Sequence, residues 1–358
     1  MCLLKEANSM ANITTLLKLA EEKGASDLHI TAGNSPILRI DGQIIVSDMP
    51  ALDKEATRNL VYSMLNDEQK TIFERDKELD FSFALKDMDR FRVNIHFQKG
   101  NVEAALRRVP RKIPNIDELG LPDVIYDFIQ KPNGLILVTG PTGTGKSTTL
   151  ASMINFINES RRDMIVCIED PIEFIYTSKK SIIKQRELYA DTHSFPEALK
   201  RALRQDPDVI VVGEMRDLST IATTLTAAET GHLVLATLHT PDAPQTVQRI
   251  IDVFPSHQQR QVTVQLAECL QGVISQVLVP RADVKGRILA TEVMVSTPGI
   301  RNLIRENDIA QIPSLLQMGA QYGMNTMDKS LKMLYKKGII SKDTAISKVK
   351  SVNEFESL

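Results

Sequence analysis

Residues 140–150, GPTGTGKSTTL, stand between the apolar run LILV (135–138) and the segment ASMINFI (151–157). An apolar strand pattern before and a helical pattern after give the pattern GxxxxGK[ST] a physical meaning as a phosphate-binding loop. The glycines let backbone N–H groups curl around phosphate oxygens without Cβ clashes, and the helix N-terminus adds a favourable dipole. Gly140, Pro141, Thr142, Gly143, Thr144, Gly145, Lys146, Ser147 and Thr148 are therefore the candidate binding residues for ATP. Lys146 is expected to reach the β- and γ-phosphates, and Ser147 to hold Mg²⁺. The plainer alternative is a glycine-rich turn, and the flanking elements argue against it.

Outward from the loop, LILVTG, MIVCIED, DVIVVGE and HLVLATLH are short continuous apolar runs separated by helical segments. Continuous rather than alternating apolarity marks strands buried on both faces, hence an α/β fold with a mostly parallel sheet between helices. VIVVGE (209–214) ends in a carboxylate and resembles the second Walker motif, with Gly213 where an aspartate usually stands. Glu214 is the candidate to orient or deprotonate an attacking water, and a role as metal ligand goes with it. IEDPIEF (168–174) supplies Glu169 and Asp170 at a second strand end, with Glu169 a candidate for catalysis and for Mg²⁺. Either carboxylate alone could be a solvated strand terminus or a helix cap. Two at strand ends, where open α/β sheets bind ligands, are harder to explain that way. His232 and His239 bracket the run LVLATL; both read as structural, with His239 at the strand's C-terminal end placed to sense a γ-phosphate.

The rest of the chain supplies a second domain. Residues 1–109 combine helices and alternating strands. ITTLLKLAEEKG is an amphipathic helix closed by Gly24, ILRI-DG-QIIV is a hairpin with an Asp41-Gly42 turn, 53–75 is helical, and three strands end near 109. The stretch 110–122, PRKIPNIDELGLP, has three prolines in 13 residues and is the natural linker. Residues 123–358 then form the nucleotide domain, with short helices from about 296 onward. At 358 residues the chain has room for two such domains.

Composition narrows the partners. A hydrophobic content of 42%, a charged content of 25% and no apolar run long enough for a bilayer exclude an integral membrane protein and a disordered chain. A formal net charge of −2 gives no general attraction to nucleic acid, despite the local cluster RRVPRK at 107–112. Cys2, Cys167 and Cys269 stand far apart without a CxxC pair, which argues against zinc and fits a reducing compartment. The start MCLLKEANSM lacks the features of a targeting peptide, and a cytoplasmic location is expected.

GASDLHI (24–30), the loop GPTGTGKSTTL, IEDPIEF, RQDPDVIVVGEMRD (204–217) and TGHLVLATLHT (230–240) occur in an order and spacing that resemble the bacterial type II/type IV secretion ATPases. The resemblance spans nearly the whole chain. GIRNLIRE (299–306) followed by QMGAQYGMNTMDKSL is similar to the C-terminal signature of the pilus-retraction branch, with Gly299 in place of the usual alanine. Read by itself, IRNLIRE is an amphipathic helix. The resemblance implies a RecA-like P-loop core, a smaller N-terminal PAS-like α+β sheet domain and a helical C-terminal tail. It implies a homohexameric motor that uses ATP and Mg²⁺ and lies peripherally at the inner-membrane pilus base against a platform protein. It also implies that arginines of the N-terminal domain reach a neighbour's phosphates. Arg92 and Arg107 are the candidates for that role, ahead of Arg201, Arg204 and Arg216. A pilus-extension or secretion motor of the same family is the nearer alternative, and a nucleotide-gated interaction protein with little turnover the more distant one.

Overall fold

The computed structural model describes residues 12–350 except 41, 87, 110 and 111, together with residue 355. The chain divides into two compact units, one running through Lys112 with Glu173–Ile175 added, the other comprising Ile113–Ile172 and Tyr176 onward.

In the first unit, α1 (Ile13–Glu22) starts where the Asn12 side chain accepts a hydrogen bond from the Thr15 amide, and buries Ile13, Leu16, Leu17 and Ala20. Strands β1 (Asp27–Ile30), β2 (Ile37–Ile40) and β3 (Gln43–Val46) follow, and β2 and β3 pair antiparallel up to Ile40 opposite Gln43. Gly42 takes a φ of +84°, while Asp41, the other half of the expected turn, lies outside the described residues. The stretch 53–75, expected as helical throughout, is two helices, α2 (Lys54–Tyr62) and α3 (Asp67–Asp76). The break comes at Asn66, whose side chain accepts from the Gln69 amide while Gln69 returns a bond to the Asn66 amide, so a fresh helix is started there.

Strands β4 (Glu78–Ala84), β5 (Arg90–Gln98) and β6 (Asn101–Val109) complete an antiparallel sheet of order β3-β2-β1-β6-β5-β4. One face buries Phe91, Val93, Ile95 and Leu106 with Leu16, Leu17 and Phe73 of the helices. Strand alternation then turns Arg92 and Arg107 outward.

In the second unit, α4 (Val124–Ile129) leads into β7 (Gly134–Thr139), α5 (Lys146–Ser160), β8 (Met164–Glu169) and β9 (Ile182–Glu187). Then come α6 (Phe195–Ala202), β10 (Val209–Val212), α7 (Leu218–Glu229) and β11 (Leu233–Leu238). Helices α8 (Ala243–Asp252) and α9 (Ser256–Cys269) precede β12 (Leu270–Pro280) and β13 (Arg287–Val295). Short helices α10 (Pro298–Arg305), α11 (Ile312–Met318), α12 (Met327–Lys336) and α13 (Lys342–Ile346) follow.

The sheet order is β13-β12-β7-β11-β10-β8-β9, parallel except for β13. The four continuous apolar runs are its centre, β7, β8, β10 and β11. Every residue of β7, β10 and β11 is buried, and the pleat divides them between two cores. Leu135 and Leu137 pack towards α6–α9, whereas Ile136 and Val138 pack towards α4 and α5. At roughly 1.5–3 kcal/mol for each such side chain, both faces contribute heavily to stability. Among the described residues no helix is long and apolar enough to cross a membrane.

Candidate nucleotide site

Parallel strands put their carboxyl ends on one edge of the sheet. The neighbouring strands β7, β11, β10 and β8 deliver, in that order, the glycine-rich loop, His239, Glu214 and Glu169 to that edge. Motifs scattered over 100 residues of sequence become neighbours because β11 lies between the loop strand and the strand that ends before Glu214.

The loop departs from β7 at Gly140, with a φ of +142°, and turns again at Gly143 and Gly145 with φ of +79° and +88°. A Cβ on Gly140 would collide with the Gln276 carbonyl and with Thr144 Oγ1, so this glycine is required by space as well as by conformation. Gly145 caps α5 in a left-handed conformation and brings no side chain to its first-turn amides, an N-terminus of the kind that receives anions. Thr144 is buried and its hydroxyl donates to the Pro141 carbonyl at 2.8 Å, bracing the loop. Pro141, Thr142 and Gly143 are exposed along the rim, and Ser147 and Thr148 are half-buried in the first turn of α5. A cleft of about 190 Å³ opens beside that turn, lined by Leu119, Thr148, Leu278, Arg281, Ile288 and Leu289 among others.

Lys146 Nζ donates to the carbonyls of Gly140 and Pro141 at 2.7 and 3.0 Å, and lies 3.5 Å from His239 Nδ1. Thr142 Oγ1 lies at the same distance from that ring nitrogen. The other ring nitrogen, Nε2, is 2.9 Å from Glu214 Oε1. The imidazole thus spans the gap between the Glu214 carboxylate on one side and Lys146 and Thr142 on the other.

The second oxygen of Glu214 accepts from Arg216 Nη2 at 2.7 Å. Burial pushes the Glu214 carboxyl up, but the bonds from Arg216 and His239 outweigh it and hold the group below its ordinary range. The Arg216 guanidinium is correspondingly stabilised, first by Glu214, against a smaller burial penalty.

Gly213 has a spatial reason. Its amide donates to the Ile168 carbonyl at 2.8 Å, and a Cβ there would sit 3.2 Å from both that oxygen and Glu169 Cα. The bare backbone lets the ends of β10 and β8 close up, drawing the chain at Glu214 towards Glu169. Thr237 locks the same point from β11 by donating its hydroxyl to the Gly213 carbonyl. Glu169 Oε1 accepts from Gln185 Nε2 at 3.0 Å, across the β8–β9 pair.

The remaining candidates separate. His232 is at the opposite end of β11 and bonds through Nδ1 to the Ala227 carbonyl at 2.9 Å. Arg201 makes an exposed i,i+4 pair with Glu197 at 3.7 Å, and Arg204 lies in the turn just after α6. Arg92 and Arg107 belong to the other unit. There they are direct cross-strand partners, and Arg107 also faces Asp27, to which its Nε is bonded at 3.0 Å. The carboxylate of Asp27, which also lies 4.0 Å from Arg39, offsets the repulsion of two arginines side by side. Thr237, Gln185 and Gln276 carry no signal of their own in the sequence, whereas Arg216, among the lesser arginine candidates, is marked by its position two residues after Glu214.

A family model described as type II/IV secretion system protein matches residues 4–345. The type IV pilus retractation ATPase PilT of Pseudomonas aeruginosa is 48% identical over 96% of this chain and 100% of its own length. A twitching motility protein of Neisseria gonorrhoeae is also 48% identical, over 93% of this chain and 89% of its own. Among solved structures, the pilus retraction motor PilT with bound ADP superposes with a TM-score of 0.91 at 48% identity, covering 97% of this chain and all 100% of that one.

Proposed function

This chain belongs to the type II/IV secretion system protein family, and we propose that within it the chain is a motor ATPase that uses ATP hydrolysis to retract type IV pili. The observation that carries the reading is the meeting of Lys146, His239 and Glu214 at the carboxyl ends of neighbouring strands, beside a helix N-terminus left for an anion. The likeness to a retraction ATPase over the full chain supports the same reading.

The residues divide the work as follows. Backbone amides of residues 143–148 and the Lys146 ammonium seat the β- and γ-phosphates, and the cleft beside Thr148 takes the nucleoside. Glu214 orients the attacking water and accepts its proton, while His239 couples that carboxylate to the phosphate seat. The donor set fits magnesium rather than a protein-caged metal: among the described residues there is no group of three or more His, Cys, Asp or Glu placed to hold an ion. Ser147, Glu169 and Glu214 are the protein oxygens at hand, of which Glu214 is already bonded through both oxygens. A bound Mg²⁺ would neutralise charge between the β- and γ-phosphates.

We read the second unit as a RecA-like core with a helical C-terminal tail, and the first as a PAS-like sheet domain; the expected linker 110–122 narrows to its start as the hinge, because Ile116 and Leu121 already pack into the core of the second unit. In a homohexamer, Arg92 and Arg107 of one chain approach the phosphates of the next, where a planar cation stabilises charge on the transferred phosphoryl group. Hydrolysis releases that contact and lets the domains rotate, and the rotation is passed to a platform protein at the inner membrane from the cytoplasmic side.

Glu214→Gln and Lys146→Ala are expected to abolish phosphate release while leaving the assembly folded by circular dichroism. A variant that turned over ATP at the wild-type rate would refute the site. Deletion of the gene should leave cells with pili that do not retract, and bald cells would point instead to an extension motor.

A further inference from the structure

We propose that Gln276 is a positioning residue for the nucleotide, fixing the phosphate loop through the carbonyl of Thr144 so that the Gly145 amide faces the ligand. The inference rests on the reading of residues 140–148 as a phosphate seat. Gln276 lies in β12, one residue beyond Ser275, which pairs with Thr139 at the last rung between β12 and β7. It therefore stands where the chain leaves the sheet as Gly140 and loses its ladder of strand bonds.

From that place Gln276 meets the loop at three points. Its main-chain carbonyl fills the space a Gly140 side chain would need. Its side-chain Nε2 donates to the Thr144 carbonyl at 2.7 Å, and the same nitrogen is 3.4 Å from where a Gly145 Cβ would be. One rung earlier, the Ser275 and Thr139 hydroxyls are bonded at 2.8 Å. The loop is thus pinned from beneath by β12, on the side away from solvent.

The planarity of the peptide group makes this contact matter for binding. In a trans peptide the carbonyl of Thr144 and the N–H of Gly145 point to opposite sides of one rigid plane. Holding the carbonyl down onto Gln276 therefore turns the Gly145 N–H up, away from β12. The glycine at 145 would otherwise let this plane rotate at little cost, since glycine populates both signs of φ. Gln276 is 1% exposed, and its Oε1 is buried with no hydrogen-bond partner among the described residues. An unmatched buried acceptor is unfavourable, and such local conflicts collect at functional sites.

The test uses the full chain, with ADP as the probe. Gln276→Met keeps the volume and removes the donor. Its affinity for ADP and its KM for ATP are expected to weaken about tenfold, the effect of one hydrogen bond, with kcat changed much less. The rise in Tm on adding saturating ADP should shrink in step. Gln276→Asn, too short to reach the Thr144 carbonyl, should behave in the same way, and it replaces the methionine variant if that one does not fold. Wild-type ADP affinity in either folded variant overturns the proposal, including the case where the Tm without nucleotide falls, because the residue would then serve only packing. Lys146→Ala serves as the non-binding control. A wild-type chain that bound no ADP would refute the phosphate seat itself, and Gln276's part with it.

Discussion

Arg216 and His239 hold opposite oxygens of Glu214, and both contacts favour the ionised carboxylate. Its folded pKa lies below the ordinary value, so the stabilisation it contributes is present above that value and is lost as pH falls through the folded one. Arg216→Ala removes one of the two donors while Glu214 stays half-buried, and the acid limb of the kcat profile is expected to move to higher pH; an unmoved limb would show that Arg216 does not set it. The thiols behave in the opposite sense. Burial pushes Cys269 up to about 12 and Cys167 well above its ordinary value. Because the thiolate is the reactive form, neither should alkylate in the native protein at pH 8, as peptide mapping after iodoacetamide treatment would reveal. The protonated thiol is favoured on folding, so its contribution to stability is full below about pH 9 and declines as pH rises towards the folded value. At this scale Lys146 was legible from the glycine-rich pattern around it, and Glu214 and His239 because each stands at the end of an apolar run. Arg216 was only half legible, since which of several nearby arginines turns onto Glu214 depends on how the chain leaves β10.

The elements show why some glycines are fixed by neighbours rather than by turns. At Gly272, where the register of β12 against β7 shifts, a Cβ would stand 2.1 Å from Cζ at the tip of the Phe128 ring, itself fully buried in α4. Gly272→Ala must expel that ring from the core. It is expected to destabilise the protein by about 3 kcal/mol, at the upper end of overpacking costs, measured by urea denaturation. Gly213→Ala, where the nearest atoms are at 3.2 Å, should be milder. The four central strands were readable from continuous apolarity, and the Lys146 helix from its loop. Their order across the sheet was not, because apolarity says that a strand is buried but not beside which neighbour. The split of 53–75 into two helices turned on the pairing of Asn66 with Gln69, a signal that an apolar periodicity conceals. Strands β9, β12 and β13 were missed for a related reason: Ile182–Glu187 is polar and half-exposed at an edge, and Leu270–Pro280 and Arg287–Val295 are largely apolar with no decisive period.

Across the second unit, the end of the described chain is tied to its middle. Lys350 Nζ lies 2.8 Å from Asp242 Oδ2 and 3.6 Å from Glu292 Oε2, and both carboxylates are buried. Asp242 also caps α8 by accepting from the Gln245 amide, and Glu292 accepts from the Ala243 amide. Burial raises the Glu292 carboxyl, with Lys350 working against the rise. Lys350→Met leaves two buried acids facing each other and is expected to lower stability by about 2 kcal/mol, less than for a fully enclosed pair because the lysine is half-exposed. Adding Glu292→Gln should restore much of that loss in thermal melts, and an additive double variant would contradict the coupling. Nothing in the sequence announced this cluster, since its members are the residue before α8, one in β13 and one after α13, each unremarkable alone.

Asp242 stands three residues after His239, so the lysine near the chain's end grips the base of the segment that carries the imidazole. Lys350 thus bears on the segment that leads from His239 into α8 while lying outside the phosphate loop, so its loss changes what supports the imidazole and leaves the loop's own residues in place.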